Sequence, residues 1–112
     1  MATPTFQLKQ GDTAPAIAST LTAADGSVVN LTTATIRFHM ADSVGTIVVD
    51  QPAILVGLGT LGTVSHLWAA SEVATAGTFS GEWEVTFSDG TIETFPNNQN
   101  IVITITPALV NP

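Results

Sequence analysis

The segment Thr78–Phe87 constrains this chain most. Phe79, Gly81, Trp83, Val85 and Phe87 alternate there with Ser80, Glu82, Glu84 and Thr86. Successive side chains of a strand point to opposite faces, so a period of two predicts a strand with one apolar and one polar face. The same pattern returns in Thr35–Ala41, where Ile36, Phe38 and Met40 oppose Thr35, Arg37, His39 and Ala41. Ile101–Thr106 offers Ile101, Ile103 and Ile105 to one side, Thr63–Trp68 offers Val64, His66 and Trp68, and Thr5–Gln10 offers Phe6 and Leu8.

Turn signals separate these runs about every eight to twelve residues, the spacing of a sandwich or barrel. Asp25-Gly26 and Asp89-Gly90 are the strongest. An Asp-Gly pair suits a hairpin because its turn needs positive φ at both central residues. The first pair predicts a hairpin from Pro15–Leu21 into Val28–Leu31, and the second joins Thr78–Phe87 to Thr91–Phe95. Asp42–Gly45 turns into Thr46–Asp50, Pro52 interrupts before Ala53–Val56, and Pro96–Asn100 is a loop. Only Ala69–Thr75 invites a helix. It is barely two turns long, with Gly77 placed to end it, so one helical turn bridging two sheets is expected. The sum is an all-β, antiparallel sandwich of about seven to nine short strands. A single domain over 1–107 and a short, loose C-terminal tail over 108–112 are expected.

Charge narrows the partners. The net charge is −7, and the cations are Lys9 and Arg37 alone. Two scattered cations do not hold a phosphate backbone or an anionic membrane surface, so neither nucleic acid nor membrane is expected as a partner. No run approaches the ~20 apolar residues that span a bilayer. The chain has no cysteine, which excludes disulfides, thiolate metal sites and cysteine nucleophiles and fits synthesis in a reducing cytoplasm. Met1–Gln7 has neither the basic start nor the apolar core of a signal peptide.

Each candidate for chemistry meets a structural alternative. Gly57, Gly59 and Gly62 spell Gly-x-Gly-x-x-Gly, the dinucleotide fingerprint. That motif needs a following helix inside a βαβ unit, and a Thr/Val strand follows here. A loop using positive φ explains the glycines better. His39 and His66 have no fixed local spacing and no cysteine to join them. A third metal ligand would have to be a carboxylate such as Asp42 or Glu84. His39 is expected beside Arg37 on a polar strand face, and His66 partly buried near Trp68. Glu82 and Glu84 lie roughly 7 Å apart on one strand face. Paired carboxylates cleave glycosides only from opposite walls of a cleft, so a solvated face is the expectation. No Gly-x-Ser-x-Gly elbow occurs. Trp83 falls on the apolar face of its strand, whereas Trp68 ends a strand and is a candidate contact residue. No catalytic residue, no metal ligand and no cofactor is assigned.

The ordered segments Leu8–Pro15 (LKQGDTAP), Leu21–Thr32 (LTAADGSVVNLT), Ala34–Met40 (ATIRFHM), Val73–Phe79 (VATAGTF), Glu82–Thr86 (EWEVT), Asp89-Gly90 and Thr94–Pro96 (TFP) carry a family likeness. Together they resemble the immunoglobulin-like domain at the N-terminus of phage baseplate upper proteins and related tailed-phage structural proteins. The resemblance spans nearly the whole chain, except Val49–Gly62 and Asn97–Asn100. It implies an immunoglobulin-like sandwich without catalytic residues. It also implies a structural role in a tailed-phage virion, in the tail, baseplate or neck, with other virion proteins as partners. In the family the domain is usually one module of a longer chain, so no attached receptor-binding role carries over.

That resemblance sets the expected function and a virion location, with capsid decoration as its close variant and a carbohydrate-binding adhesion module as the alternative. A homo-oligomer or another symmetric assembly is expected. The candidate partner contacts are Trp68, the glycine loop at Gly57, Gly59 and Gly62, and Asn98, Gln99 and Asn100.

Overall fold

The computed structural model describes residues 3–110. Nine strands form two facing sheets, with short 3-10 turns at Gly59–Leu61 and Ala70–Val73. The strands are β1 (Thr5–Lys9), β2 (Ile17–Thr20), β3 (Thr35–Ala41), β4 (Ile47–Pro52), β5 (Ile54–Leu55), β6 (Thr63–His66), β7 (Gly77–Thr86), β8 (Ile92–Phe95) and β9 (Ile101–Thr106). The larger sheet runs β1-β9-β7-β3-β4, with β8 also paired to β7, and the smaller runs β2-β6-β5. This is the expected all-β sandwich.

The long strand β7 organises the larger sheet. Along one edge it pairs with the whole of β3, Thr35 opposite Thr86 and Ala41 opposite Ser80. Along the other its first half pairs with β9 and its second half with β8. All strand pairs are antiparallel except β1 with β9, which run parallel from Thr5↔Val102 to Lys9↔Thr106. That pair corrects the expectation of a wholly antiparallel sandwich.

Alternation puts the expected residues inside. Phe38, Met40, Trp83, Val85, Ile103 and Ile105 from the larger sheet are fully buried, as is Val64 of the smaller. Phe38 sits where the sheets meet. Its ring centroid lies 4.8 Å from Trp83, 4.9 Å from His66 and 5.7 Å from Trp68. Burying each large apolar side chain contributes about 1.5–3 kcal/mol, and offset or edge-on ring pairs add about 0.5–1.5 kcal/mol beyond area.

Two local expectations change. Val28–Leu31 is no strand: a single bridge, Thr22↔Val28, remains of the expected hairpin. The Asp25 carboxylate accepts from the backbone N–H and the hydroxyl of Ser27, which closes a tight turn. Leu31 then plugs the core, its N–H donating to Gly59 rather than into a ladder. Helical structure amounts to two short turns rather than one. The turn at Ala70–Val73 lies in the expected place but ends at Ala74, and Gly77 opens β7 instead of closing the turn. Of the expected tail, residues 108–110 form no strand, and 111–112 lie outside the described residues.

The glycine loop is a packing device. A Cβ on Gly59 would stand 2.7 Å from the Thr32 nitrogen. Gly62 has a φ of 66°, and a Cβ there would stand 2.8 Å from the Val29 carbonyl. Gly90 also has positive φ but meets nothing within 4 Å. Gly62→Ala therefore combines backbone strain with a clash and should cost about 2–3 kcal/mol, against about 1 kcal/mol for Gly90→Ala. Urea unfolding of both variants measures the difference, and equal losses would mean that the 28–32 segment does not close on Gly62.

Candidate functional site

Four charged residues and His39 share the outer face of the larger sheet. Arg37 and His39 of β3 lie between Asp50 of β4 and Glu82 and Glu84 of β7 in register. Arg37 Nε donates to Asp50 Oδ1 at 2.8 Å, and Arg37 Nη2 donates to the Asp50 carbonyl at 3.0 Å. His39 Nδ1 is 3.1 Å from Glu82 Oε2, and its Nε2 is 3.3 Å from Asp50 Oδ1. The hydrogen bond from Arg37 holds the Asp50 carboxyl below the usual carboxylate range. His39 does lie beside Arg37 on a polar face. Glu82 is tied to this ladder rather than standing free. Water screens such exposed pairs, and each contributes little to stability.

His66 and Glu72 form a second, internal pair. Their side chains are only 5% and 10% exposed, with Nε2 and Oε1 2.8 Å apart. The same carboxylate oxygen accepts the Ala69 N–H, so it caps the 3-10 turn while it partners the imidazole. The ring of His66 stacks on Phe38 and meets Trp68 edge-on. Neither His66 nor Glu72 is hydrogen-bonded to a hydroxyl among the described residues. The pair ties the 3-10 turn to β6.

Trp68 is 5% exposed and packs against Phe6 and Phe38. It offers no contact surface, which corrects its candidacy and removes the ring that a carbohydrate module would need. Its buried Nε1–H has no acceptor among the described residues. Gly62 is buried and Gly59 half-buried, so in that loop the exposed neighbours Leu58 and Leu61 form the surface. Gly57 itself is exposed. Asn98 and Gln99 line a groove of about 460 Å³ between the β2 end of the smaller sheet and the β8–β9 loop, and Asn100 is exposed beyond it.

An uncharged surface follows one edge of the sandwich. The chain leaves the larger sheet at the end of β4 and joins the smaller one as β5, so both strands are edges on the same stretch of chain. From Gln51 to Ser65 there is no charged residue. Ile47, Val48, Ile54, Leu55, Val56, Leu58 and Leu61 are exposed along it, Leu58 by 71%.

No family model and no curated protein matches this chain. Among solved structures it is similar to CopC from Methylosinus trichosporium OB3b, with 16% identity and a TM-score of 0.58. The match covers 96% of this chain and 89% of that one. The likeness supports the immunoglobulin-like β-sandwich. It also corrects the expectation of a tailed-phage structural protein, capsid decoration included, and of a virion location. The structural match is to CopC and not to a virion component.

At that identity the likeness extends to fold alone, and the described side chains do not converge on a metal site. The carboxylates at His39 flank opposite edges of its ring and cannot converge with it on one ion. His66 is stacked in the core beneath the other face of β3, and Met40 is fully buried. No group of three or more His, Asp or Glu side chains is arranged to hold a metal among the described residues.

Asp42 and Glu84, named above as carboxylates for a metal, do not join either histidine. Asp42 Oδ1 instead accepts from the backbone of Val44 and Thr46. The missed partners of His39 stand opposite it on β4 and β7, and strand register is the signal that finds them. Glu72, three residues after Ala69 at the start of a turn, carries the weaker signal of a capping carboxylate.

Removing Glu72 leaves a buried imidazole and a backbone N–H without their acceptor. Glu72→Ala should cost about 1–3 kcal/mol, whereas Glu82→Gln should change stability by about 0.5 kcal/mol or less, both read by urea unfolding. Acid sensitivity follows from Asp25, Asp50 and Asp89. The Ser27, Arg37 and Thr91 donors, respectively, hold their carboxyls below the ordinary range. Their contribution is present above the unfolded-state value and is lost as pH falls through the lowered folded values. The melting temperature should drop on acidification below the usual carboxylate range, and less steeply in the Asp25→Asn, Asp89→Asn double variant. An unchanged slope would contradict this.

Proposed function

We propose that this chain is a non-catalytic interaction module that pairs with a second copy of itself through the uncharged edge formed by β5 and the turn after it. The observation that carries this reading is the row of exposed aliphatic side chains from Ile54 to Leu61 beside an edge strand. An edge strand presents unpaired N–H and C=O groups, and shortness, charge or proline protects such edges; β5 is only two residues long, so the aliphatic side chains beside it carry the contact. Asp50 and Pro52 blunt the end of β4, but β5 carries neither.

Electrostatics favours a second copy as the occupant. Two chains of net charge −7 repel each other over most of their surface. The stretch from Gln51 to Ser65 lets them approach without opposed carboxylates. A two-fold axis beside β5 would pair the strand with itself and extend β2-β6-β5 into a continuous six-stranded sheet. Leu58 and Leu61 would then cover the apolar surface that each copy leaves open.

Light scattering on the full chain should find a dimer at micromolar concentration. The Ile54→Glu, Leu58→Glu variant should be monomeric with an unchanged circular dichroism spectrum, because both side chains are exposed and the axis would double each new charge. A wild-type monomer at high micromolar concentration, or a variant that still dimerises, would overturn the reading.

A further inference from the structure

We infer that Asp25-Gly26 is a modification site, where the aspartate isomerises to isoaspartate in the folded protein, and that Asp89-Gly90, its chemical twin, is protected by the strand ladder behind it. The inference stands apart from the pairing proposed for β5. The two turns match closely. Asp25 accepts from the Ser27 N–H at 2.9 Å and from its hydroxyl at 2.6 Å. Asp89 accepts from the Thr91 N–H at 3.0 Å and from its hydroxyl at 2.6 Å. The Gly26 N–H donates to the Ala23 carbonyl and the Gly90 N–H to the Phe87 carbonyl, both at 2.9 Å. Both dipeptides are exposed, and nothing lies within 4 Å of where a Cβ would stand on either glycine.

In the reaction the glycine nitrogen attacks the aspartate Cγ. The N–Cγ bond forms, and the carboxyl OH leaves as water with the nitrogen's proton. A water then adds to the aspartate's main-chain carbonyl and breaks its bond to that nitrogen. The chain now runs through Cβ and Cγ, and the former main-chain carbonyl carbon is a free carboxylate. The intact turn blocks the first step twice. A carbonyl holds the glycine N–H, and the hydroxyl and N–H two residues on hold the carboxyl below the ordinary range, in the ionised form that resists attack. Modification therefore waits on local opening, and its rate follows the opening free energy of each turn.

The two turns differ in what stands behind them. The Asp89 turn closes β7 onto β8 with four residue pairs in register, from Thr86↔Ile92 to Trp83↔Phe95, and Phe87 at its base packs on the core. The Asp25 turn is backed by a single bridge, Thr22↔Val28, and Ala23 holds the corresponding base position. Its core anchors, Leu21 and Leu31, lie outside the turn. Opening at Asp25 breaks fewer hydrogen bonds and exposes less apolar surface than opening at Asp89.

The full chain is aged at neutral pH in native buffer and, in parallel, in unfolding urea. Isoaspartate at each site is measured by peptide mapping with a protease that cuts before aspartate but not before isoaspartate, read by mass spectrometry. In native buffer it should accumulate about fivefold faster at Asp25 than at Asp89. In urea the two sites should react at the same rate, because the dipeptides are identical. Ser27→Ala removes the hydroxyl donor and should raise the native rate at Asp25 alone by about two- to tenfold. Thr91→Val removes the matching donor and should raise the rate at Asp89 less, because the β7–β8 ladder still holds that turn. The inference is overturned by equal native rates, by a faster rate at Asp89, by no native reaction at Asp25 where urea allows it, by a difference that persists in urea, or by an unchanged rate in Ser27→Ala.

Discussion

The contact of Phe38 with Trp83, His66 and Trp68 is the interaction on which the rest of the structure depends. Phe38 comes from β3, Trp83 from its neighbour β7, and His66 and Trp68 from β6 and the residues after it. One ring therefore joins both sheets and the start of the connection that returns to β7. Its position also accounts for Gly81. A Cβ there would stand 2.7 Å from Ile103 Cδ1 and 3.3 Å from the Phe38 ring. A glycine in a strand interior ordinarily weakens it; here it makes room for the aromatic layer. His66 can be buried because Glu72 supplies its hydrogen bond from the turn that follows.

From that core the surfaces divide by chemistry. The outer face of the larger sheet carries the Arg37, His39, Asp50 and Glu82 ladder. The far edge, β5 and its turn, carries aliphatic side chains and no charge. The end of the sandwich near Phe95 carries amides, hydroxyls and a small apolar recess. His39 is paired with Asp50 and Glu82 on the outer face of the larger sheet, and His66 of the smaller sheet with Glu72. No three of these side chains converge on one metal site among the described residues.

Most of the strands are legible in the sequence because burial on one face imposes a period of two. Ile36, Phe38 and Met40, and Phe79, Trp83 and Val85, lie inside as their alternation requires. Strand partners are less legible: nothing in Thr5–Lys9 states that it runs parallel to Ile101–Thr106. Val28–Leu31 misleads because an apolar run can plug a core from a loop as well as from a strand. Trp68 misleads because its strand ends at His66 while its side chain continues inward. Of the candidate contacts, Asn98 and Gln99 meet in the groove with Ser19 and Trp83, an arrangement set by tertiary folding that no local spacing encodes. The tailed-phage resemblance rests on short ordered segments that an immunoglobulin-like sandwich accommodates, and the fold is what survives of it.

The central claim is that the β5 edge is where this molecule meets a second copy. Isotope-filtered NMR on an equal mixture of labelled and unlabelled chain tests it most directly. The account predicts intermolecular contacts confined to the methyl groups of Ile54, Leu55, Val56, Leu58 and Leu61. Intermolecular contacts on the Arg37–Glu82 face, or none at concentrations where the protein sediments as a dimer, would contradict it.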